Sequence, residues 1–261
     1  MPVATRAVQG APCWVSLMAH DLDASRAYYA AVLGWDYKPG FQGQGNYSVA
    51  LAHGTPVAGL GTGGRVVGYP VSWTPYFAAD SADRAAERIR ERVATVAVGP
   101  LEFGKGRMVV AADPEDAVFG IWEGEIDPDW RVGRGTGAPA RLELRTRDPF
   151  ASALFYGGVF DWDAPGADHI DVRYEDERVV LRIAGHAVAD LRGGGEETAP
   201  DPHLRPQWHV HFAVDDVEAA VAKGVDAGGS IVCPPGASHF GPVASLRDPE
   251  GGLFHVTEAD D

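Results

Sequence analysis

The stretch "GAPCWVSLMAHDLDASRAYYAAVLGWD" (10–36) decides the fold, because the chain repeats it. It aligns with "GAPARLELRTRDPFASALFYGGVFDWD" (137–163), with Gly-Ala-Pro, Ala-Ser, Tyr and Trp-Asp at matching positions. Two further pairs follow at a similar offset: "SWTPYFAADSADRAAE" (72–87) with "QWHVHFAVDDVEAAVA" (207–222), and "DPEDAVFG" (113–120) with "DPEGGLFH" (248–255). Ordered self-similarity of this kind indicates a duplicated unit that packs on its copy.

Each half of the chain also contains one order of elements twice. A short alternating strand leads into an acidic helix start, an Ala-rich amphipathic helix, and short strands separated by Gly and Pro. The expected helix caps are Asp21, Asp80, Asp148 and Asp215. The sequence therefore predicts an α+β fold of four βαβββ modules, at about 11–65, 71–125, 138–193 and 206–258. Two modules form each domain, 1–130 and 131–261, and a linker rich in Gly and charge lies at 123–137.

Alternation along the strands predicts which residues face the helices. The apolar set comprises Val15, Leu17, Phe77, Ala79, Leu142, Leu144, Val210 and Phe212. A slip of one residue would turn the polar and charged residues of these strands into the core, so the register is well determined.

Composition limits the classes of partner. The chain has 22 Lys and Arg against 37 Asp and Glu, a formal net charge of −15. Nucleic acid and anionic membrane surfaces are therefore not expected partners. The start "MPVATRAVQG" lacks the apolar core of a signal peptide, and we expect a cytoplasmic protein.

Two short patterns have simple interpretations. Cys13 and Cys233 lack the spacing of a zinc knuckle or a disulfide framework, so two buried thiols are expected. No helix is expected after "GLGTGG" (59–64), which is interpreted as a turn between modules rather than a dinucleotide-binding loop.

The helix "DLDASRAYYAAVLGW" (21–35) and the two Asp-Pro-Glu turns resemble those of the vicinal oxygen chelate superfamily. This superfamily includes glyoxalase I, extradiol dioxygenases, fosfomycin-resistance enzymes and bleomycin-binding proteins. The resemblance covers nearly the whole chain, and is especially close to two-domain proteins often labelled hydroxylases or glyoxalase/bleomycin-resistance proteins. It implies that the modules pair into two domains whose mixed sheets curl into cups, with the helices outside. A shared fold does not imply one chemistry.

The first cup is expected to be aromatic and nearly uncharged. Its lining residues are Trp14, Ser16, Met18, Thr74, Tyr76, Gly120 and Trp122. Trp14, Thr74 and Gly120 stand where the resemblance places metal ligands, so no metal is expected in the N-terminal domain. Trp14, Met18, Tyr76 and Trp122 are candidate substrate-binding residues for a flat organic molecule, and a filled core is the alternative.

The second cup is expected to be charged and titratable. Its lining residues are Arg141, Glu143, Arg145, His209, His211, His255 and Thr257. The resemblance places His209 and His255 at two metal-ligand positions, whereas the third holds Arg141, which has no lone pair for a cation.

Three alternatives remain open for this second cup. His209, His255 and Glu143 hold a divalent metal such as Fe, Mn, Ni or Zn, with His211 as another third ligand. Otherwise His209 or His255 moves a proton without metal while Arg141 stabilises an oxygen anion. An inert polar cup is the third alternative. In the first two, Arg145 and His211 contact the substrate, and His239 lies on a loop that could close over the cup.

Two functions from different classes follow. One is an enzyme of the glyoxalase or dioxygenase type, a lyase, isomerase or oxygenase acting on an aromatic or polyketide-like metabolite in the C-terminal cup. Its catalytic residues would be His209, His255, Glu143 and Arg141. The other is a non-catalytic protein that sequesters an aromatic, antibiotic-like ligand; a degenerate stabilising partner of another enzyme is a weaker third alternative. A small molecule is the expected partner in the first two cases, and the chain is expected to be a monomer or homodimer.

Overall fold

The structure, a computed structural model, describes residues 8–40, 46–62, 70–162, 170–199, 204–238 and 241–259. These residues form four α-helices and two eight-stranded mixed sheets. The predicted α+β class with four βαβββ modules is confirmed. No helix in the described ranges is long and apolar enough to cross a membrane.

The first sheet is built from the first half of the sequence. Its strands are β1 (Pro12–Ala19), β2 (Asp36–Pro39), β3 (Tyr47–Ala52), β4 (Thr55–Thr62), β5 (Ser72–Ala78), β6 (Thr95–Phe103), β7 (Gly106–Ala112) and β8 (Val118–Gly124), in the order β2-β3-β4-β1-β5-β8-β7-β6. Helix α1 (Leu22–Leu33) follows β1, and α2 (Ala82–Glu91) follows β5. Strand β1 pairs with β4 in parallel, and β5 pairs with β8 in parallel.

The second sheet repeats this order in the second half of the sequence. Its strands are β9 (Pro139–Arg145), β10 (Asp171–Glu175), β11 (Arg178–Ile183), β12 (His186–Arg192), β13 (Gln207–Val214), β14 (Ser230–Ser238), β15 (Gly241–Arg247) and β16 (Leu253–Glu258), in the order β10-β11-β12-β9-β13-β16-β15-β14. Helix α3 (Pro149–Phe160) follows β9, and α4 (Val217–Asp226) follows β13. The predicted duplication is therefore visible strand by strand.

Two of the four predicted helix caps are wrong by one residue. Helices α1 and α3 begin after Asp21 and Asp148 as predicted. The cap of α2 is Ser81 rather than Asp80, because the Ser81 hydroxyl accepts the backbone N–H of the third helical residue. The cap of α4 is Asp216 rather than Asp215. The Asp215 carboxylate instead accepts a hydrogen bond from the Thr136 hydroxyl.

The chain divides into two compact units that combine modules from both halves. Unit 1 comprises residues up to Cys13, 75–128 and 142–208, and within it α2 packs against α3. Unit 2 comprises 14–74, 129–141 and 209–261, and within it α1 packs against α4. The predicted domain boundary at 130/131 stays a prediction, although each sheet follows one half of the sequence.

The core of each unit confirms the predicted strand register. Val15, Leu17, Phe77, Leu142, Leu144, Val210 and Phe212 have no exposed surface, and Ala79 is buried as well. In unit 2, Trp73 packs edge-on against Phe212, with ring centroids 5.0 Å apart. In unit 1, Phe77 packs at 5.3 Å from Trp208. The aromatic cores therefore lie on the helix side of the strands, and the polar residues of the same strands face the opposite side.

In each unit, the aspartate of an Asp-Pro-Glu turn accepts a hydrogen bond from a tyrosine of a helix. In unit 1 the Tyr156 hydroxyl donates to Asp113 at 3.0 Å and accepts the Trp208 indole N–H at 2.9 Å. In unit 2 the Tyr29 hydroxyl donates to Asp248 at 2.9 Å and accepts the Trp73 indole N–H at 3.0 Å. These two Tyr-Asp-Trp clusters anchor the strands just before Thr74 and His209.

The glutamate of each turn completes the same arrangement. Glu250 accepts the backbone N–H of Asp21 at 2.8 Å and the Ser25 hydroxyl at 3.0 Å. Glu115 accepts the Thr146 hydroxyl and the Arg147 backbone N–H, each at 2.8 Å. The Asp-Pro-Glu motif therefore has a structural role, fixing where a helix begins relative to its strand.

The predicted 123–137 linker contains one packed residue, because Trp130 is buried and its indole N–H donates to the Val57 carbonyl at 2.8 Å. Two local predictions need correction. Cys233 is exposed rather than buried, whereas Cys13 is buried as predicted. Residues 59–62 of the predicted turn belong to β4, where glycines leave room for the Tyr47 ring.

Candidate functional site

Three histidines and one serine lie together in unit 2. His209 and His211 alternate along β13, and His255 lies on β16, the parallel neighbour of that strand. The strand register pairs His211 with His255, and pairs His255 with Ser245 of β15. Because strand partners point to the same face of a sheet, all four side chains converge.

A continuous hydrogen-bonded chain joins three of these side chains. The Ser245 hydroxyl is 2.8 Å from Nδ1 of His255, and Nε2 of His255 is 2.7 Å from Nδ1 of His209. Each of these residues is at least nine-tenths buried. We name this chain, made of Ser245, His255 and His209, the imidazole relay.

The imidazole relay has two neutral proton arrangements. In one, Ser245 donates to Nδ1 of His255, and Nε2 of His255 donates to Nδ1 of His209. In the other, both hydrogen bonds run in the opposite direction. Nδ1 of His209 donates to Nε2 of His255, Nδ1 of His255 donates to the Ser245 oxygen, and Nε2 of His209 carries a lone pair. A proton arriving at His209 can be passed along the chain, which is what a general acid–base site requires.

His211 packs beside the imidazole relay rather than in line with it. Its ring is stacked on His255, with centroids 4.5 Å apart and an angle of 20° between the planes. Two imidazolium ions at this distance would repel each other strongly in a buried site. The cluster is therefore suited to holding one added proton at a time.

The other predicted catalytic residues lie on β9. Glu143 is buried and belongs to unit 1, where its carboxylate lies 3.6 Å from the Arg192 guanidinium. Arg145 also belongs to unit 1, whereas Arg141 belongs to unit 2. The structure brings His209, His211 and His255 together, and it gives Glu143 an arginine partner that the sequence reading did not include.

The three predicted metal ligands already have hydrogen-bond or ion-pair partners in this arrangement. Both ring nitrogens of His255 are already in hydrogen bonds, and the Glu143 carboxylate is paired with Arg192. Among the residues the structure describes, no group of three or more His, Cys, Asp or Glu side chains is arranged to hold a metal ion. The ligand set His209, His255 and Glu143 stays a prediction, and no chemical step proposed below depends on a metal.

The aromatic candidates of the first half have mainly packing partners. The Trp14 indole N–H donates to the Tyr47 hydroxyl at 2.9 Å, and the ring lies 6.1 Å from that of Trp130. The Tyr76 ring is buried over Gly120, where an added Cβ would lie 2.2 Å from it. These contacts support the filled-core interpretation for Trp14 and Tyr76.

Met18 and Trp122 are more accessible. Met18 is exposed. Trp122 donates its indole N–H to the Glu125 carbonyl at 3.1 Å and lines a cleft of about 250 Å³ in unit 1 with Asp80 and Glu123. Substrate binding by either residue stays a prediction, and His239 lies outside the described residues.

Sequence reasoning missed Ser245 and Tyr47. A serine in the strand "GPVASLR" carries no signal of its own, but Ser245 and His255 are equally distant from residue 250 in the Asp-Pro-Glu turn. Counting outward from that turn would have paired them. Tyr47 could have been found from Gly59, whose missing side chain admits the Tyr47 hydroxyl.

Comparisons with known proteins agree with the fold. The family profile described as a glyoxalase-like domain matches residues 141–257. The Mycobacterium tuberculosis protein named "Putative glyoxylase CFP32" is 31% identical over 264 residues, covering 98% of this chain and 97% of its own. This chain belongs to the glyoxalase-like family of the vicinal oxygen chelate superfamily.

Another relative of this glyoxalase-like protein is the anthracycline biosynthesis protein DnrV of Streptomyces peucetius. It is 32% identical over 269 residues, covering 97% of this chain and 95% of DnrV. Both relatives match nearly the full length of this chain, whereas the family profile matches residues 141–257.

Solved structures show the same fold at lower identity. The Mn(II)-bound glyoxalase of Novosphingobium aromaticivorans has a TM-score of 0.60 and 20% identity, covering 97% of this chain and 83% of that one. Homoprotocatechuate 2,3-dioxygenase of Brevibacterium fuscum, in complex with 3,4-dihydroxyphenylacetate, has a TM-score of 0.60 and 16% identity, covering 99% of this chain and 83% of that one. At these identities the likeness concerns the fold.

Proposed function

We propose that this glyoxalase-like protein is an enzyme that moves a proton on a small aromatic or polyketide-like carbonyl compound, as an isomerase or lyase. The observation that carries the proposal is the imidazole relay, with its two hydrogen bonds of 2.7 and 2.8 Å. Buried imidazoles linked in this way suit general acid–base catalysis better than they suit packing.

The proposed step begins at His209. Its imidazole removes a proton from the carbon next to the substrate carbonyl, leaving an enolate, and the added charge is shared with His255 through their hydrogen bond. This proton exchanges with solvent while it is held on the imidazole relay, and a proton is then returned from the relay to a neighbouring atom of the substrate. Arg141 is assigned the stabilisation of the enolate oxygen, a role for which a guanidinium is suited.

The substrate class has separate support. DnrV is named for anthracycline biosynthesis, and the dioxygenase structure contains 3,4-dihydroxyphenylacetate. Both names support a small aromatic molecule with neighbouring oxygens.

Deuterium exchange tests the proposal without knowledge of the natural substrate. The probe is 2-hydroxyacetophenone, an aromatic α-hydroxyketone, incubated with the full chain in heavy water and followed by NMR. We expect exchange of its α-protons above the buffer rate, reduced about 100-fold or more in His209→Ala because the base is lost.

His186→Ala is the matched control, since His186 is an exposed histidine on the same sheet. Exchange in this variant should equal that of the unmodified protein. Exchange at the buffer rate with the unmodified protein, or an equal rate in His209→Ala, would contradict the proposal.

A further inference from the structure

One face of the second sheet is rich in arginine within unit 1. The register pairs Arg178 of β11 with Arg192 of β12, and Arg192 with Arg145 of β9, so three arginines form a row across neighbouring strands. Arg173 and Arg182 lie on the same face, on β10 and β11. Five positive charges on one strand face are unusual in a chain with a net charge of −15.

Four of these arginines have a carboxylate partner on that face. The ion pairs are Arg173 with Asp171 at 2.7 Å, Arg182 with Glu175 at 2.8 Å, Arg192 with Glu143 at 3.6 Å, and Arg178 with Asp190 at 3.9 Å. Glu143 and Asp190 are themselves adjacent in the register and buried. Among the residues of unit 1 that the structure describes, one arginine on this face has no carboxylate partner.

That arginine is Arg145. Its Nε is buried and has no hydrogen-bond acceptor within the described ranges, and no ion pair is found for it there. Its neighbour in the register is Arg192, which has the same charge. A guanidinium that is partly removed from water and lies beside another cation is stabilised by an added anion.

We propose that Arg145, together with Arg192, binds the carboxylate of a small organic molecule. One uncompensated guanidinium matches a single negative charge, which favours a carboxylate over a phosphate dianion. The planar guanidinium can hold both oxygens of a carboxylate through parallel hydrogen bonds. Arg192 is half exposed, so a ligand can reach the row from solvent. Because Arg145 is also a predicted substrate contact, this site rests on the proposed function and names a carboxylate on the substrate, but benzoate binding is measured without any proton transfer.

Titration calorimetry with benzoate tests this site on the full chain. Benzamide serves as the uncharged probe of the same shape, and inorganic phosphate as the rival anion. We expect saturable binding of benzoate, none of benzamide, and weaker binding of phosphate. Arg145→Gln should weaken benzoate binding about tenfold or more, because a charge-assisted hydrogen-bonded pair is lost.

Two further variants control the interpretation. Arg173→Gln removes an exposed arginine from the same face that already has Asp171 as its partner, and it should change benzoate affinity by less than about twofold. Arg145→Lys keeps the charge without the planar fork and should bind benzoate with intermediate affinity.

Several results would overturn the proposal. They are no saturable benzoate binding, equal binding of benzamide, tighter binding of phosphate, or equal losses in Arg145→Gln and Arg173→Gln. Should Arg145→Gln fail to fold, the Nε–H signal of Arg145 is followed by NMR in the unmodified protein. A shift of that signal on adding benzoate is expected, and an unmoved signal would also overturn the assignment.

Discussion

The second modules of the two halves carry different side chains at corresponding strand positions. Corresponding residues, first half before second half, are Thr74 and His209, Tyr76 and His211, Val110 and Ser245, and Gly120 and His255. In the second half these positions form the imidazole relay with a stacked histidine. In the first half the Tyr76 ring fills the space beside Gly120, and no imidazole is present at these positions.

The two halves share a cluster of buried residues on the helix-facing side of their strands. Both keep the Tyr-Asp-Trp cluster, with Tyr29 and Tyr156 bonded to the aspartates of the two Asp-Pro-Glu turns. The helix-facing side of the strands is therefore apolar in both halves and keeps this cluster, whereas the opposite face differs in chemical character. Substitutions on that opposite face can alter the chemistry while leaving the core register intact.

The largest effect is expected when His255 of the second half is replaced by glycine, the residue at the corresponding position of the first half. His255→Gly removes the middle of the imidazole relay, so His209 loses the ring that shares its added charge. We expect deuterium exchange of 2-hydroxyacetophenone to fall about 100-fold or more, with the unfolding transition retained. An exchange rate unchanged within about threefold would show that the difference between the halves is not catalytic.

The shared Tyr-Asp-Trp clusters predict a pH dependence of stability. Burial raises the pKa of Asp113 from its ordinary 3.8 to about 6, although backbone N–H groups and Tyr156 oppose this shift. The folded state thus holds this proton more tightly than the unfolded state, and stability falls as the pH rises from about 4 to about 6.

Denaturant unfolding of the unmodified protein and Asp113→Asn checks this dependence. Relative to the variant, the unmodified protein should lose about 2 kcal/mol between about pH 4.5 and about pH 7.5. Asp248 of the other cluster, whose pKa burial also raises, is unchanged in both proteins and cancels in the comparison. A difference that is independent of pH, or that has the opposite sign, would contradict the assignment.

A smaller effect is expected when Gly120 of the first half is replaced by histidine, the residue at the corresponding position of the second half. Gly120→His places a Cβ 2.2 Å from the Tyr76 ring, and we expect a loss of about 1–3 kcal/mol in the free energy of unfolding from overpacking. Adding Tyr76→Ala should relieve the crowding and recover part of the stability. Gly157→Ala is the control, since its Cβ would meet only ordinary contact with Trp162, and no loss is expected.

The fold and half of the candidate site could be predicted from the sequence for identifiable reasons. Alternation of Val210 and Phe212 with His209 and His211 sets the two faces of β13, because the side-chain period of a strand is two residues. His255 was found because the chain repeats itself and the Asp-Pro-Glu turns align. These signals are local or periodic, so one sequence contains them.

The remaining residues depend on pairing between strands. Ser245 became part of the imidazole relay only through the register of β15 with β16, and Arg192 met Glu143 only through the parallel pairing of β12 with β9. Single serines and arginines in strands are common and carry no spacing signal. The helix caps were misplaced by one residue where two suitable cap residues stand side by side, as at Asp215 and Asp216.

Histidine ring NMR tests the imidazole relay most directly, because it needs no substrate. Long-range ¹H–¹⁵N spectra of the labelled full chain report which ring nitrogens carry protons, and Ser245→Ala removes the partner of Nδ1 in His255. The account predicts that the ring nitrogen shifts of both His255 and His209 change in this variant, while those of the exposed His186 do not. Unchanged His209 shifts would contradict a continuous chain from Ser245 to His209.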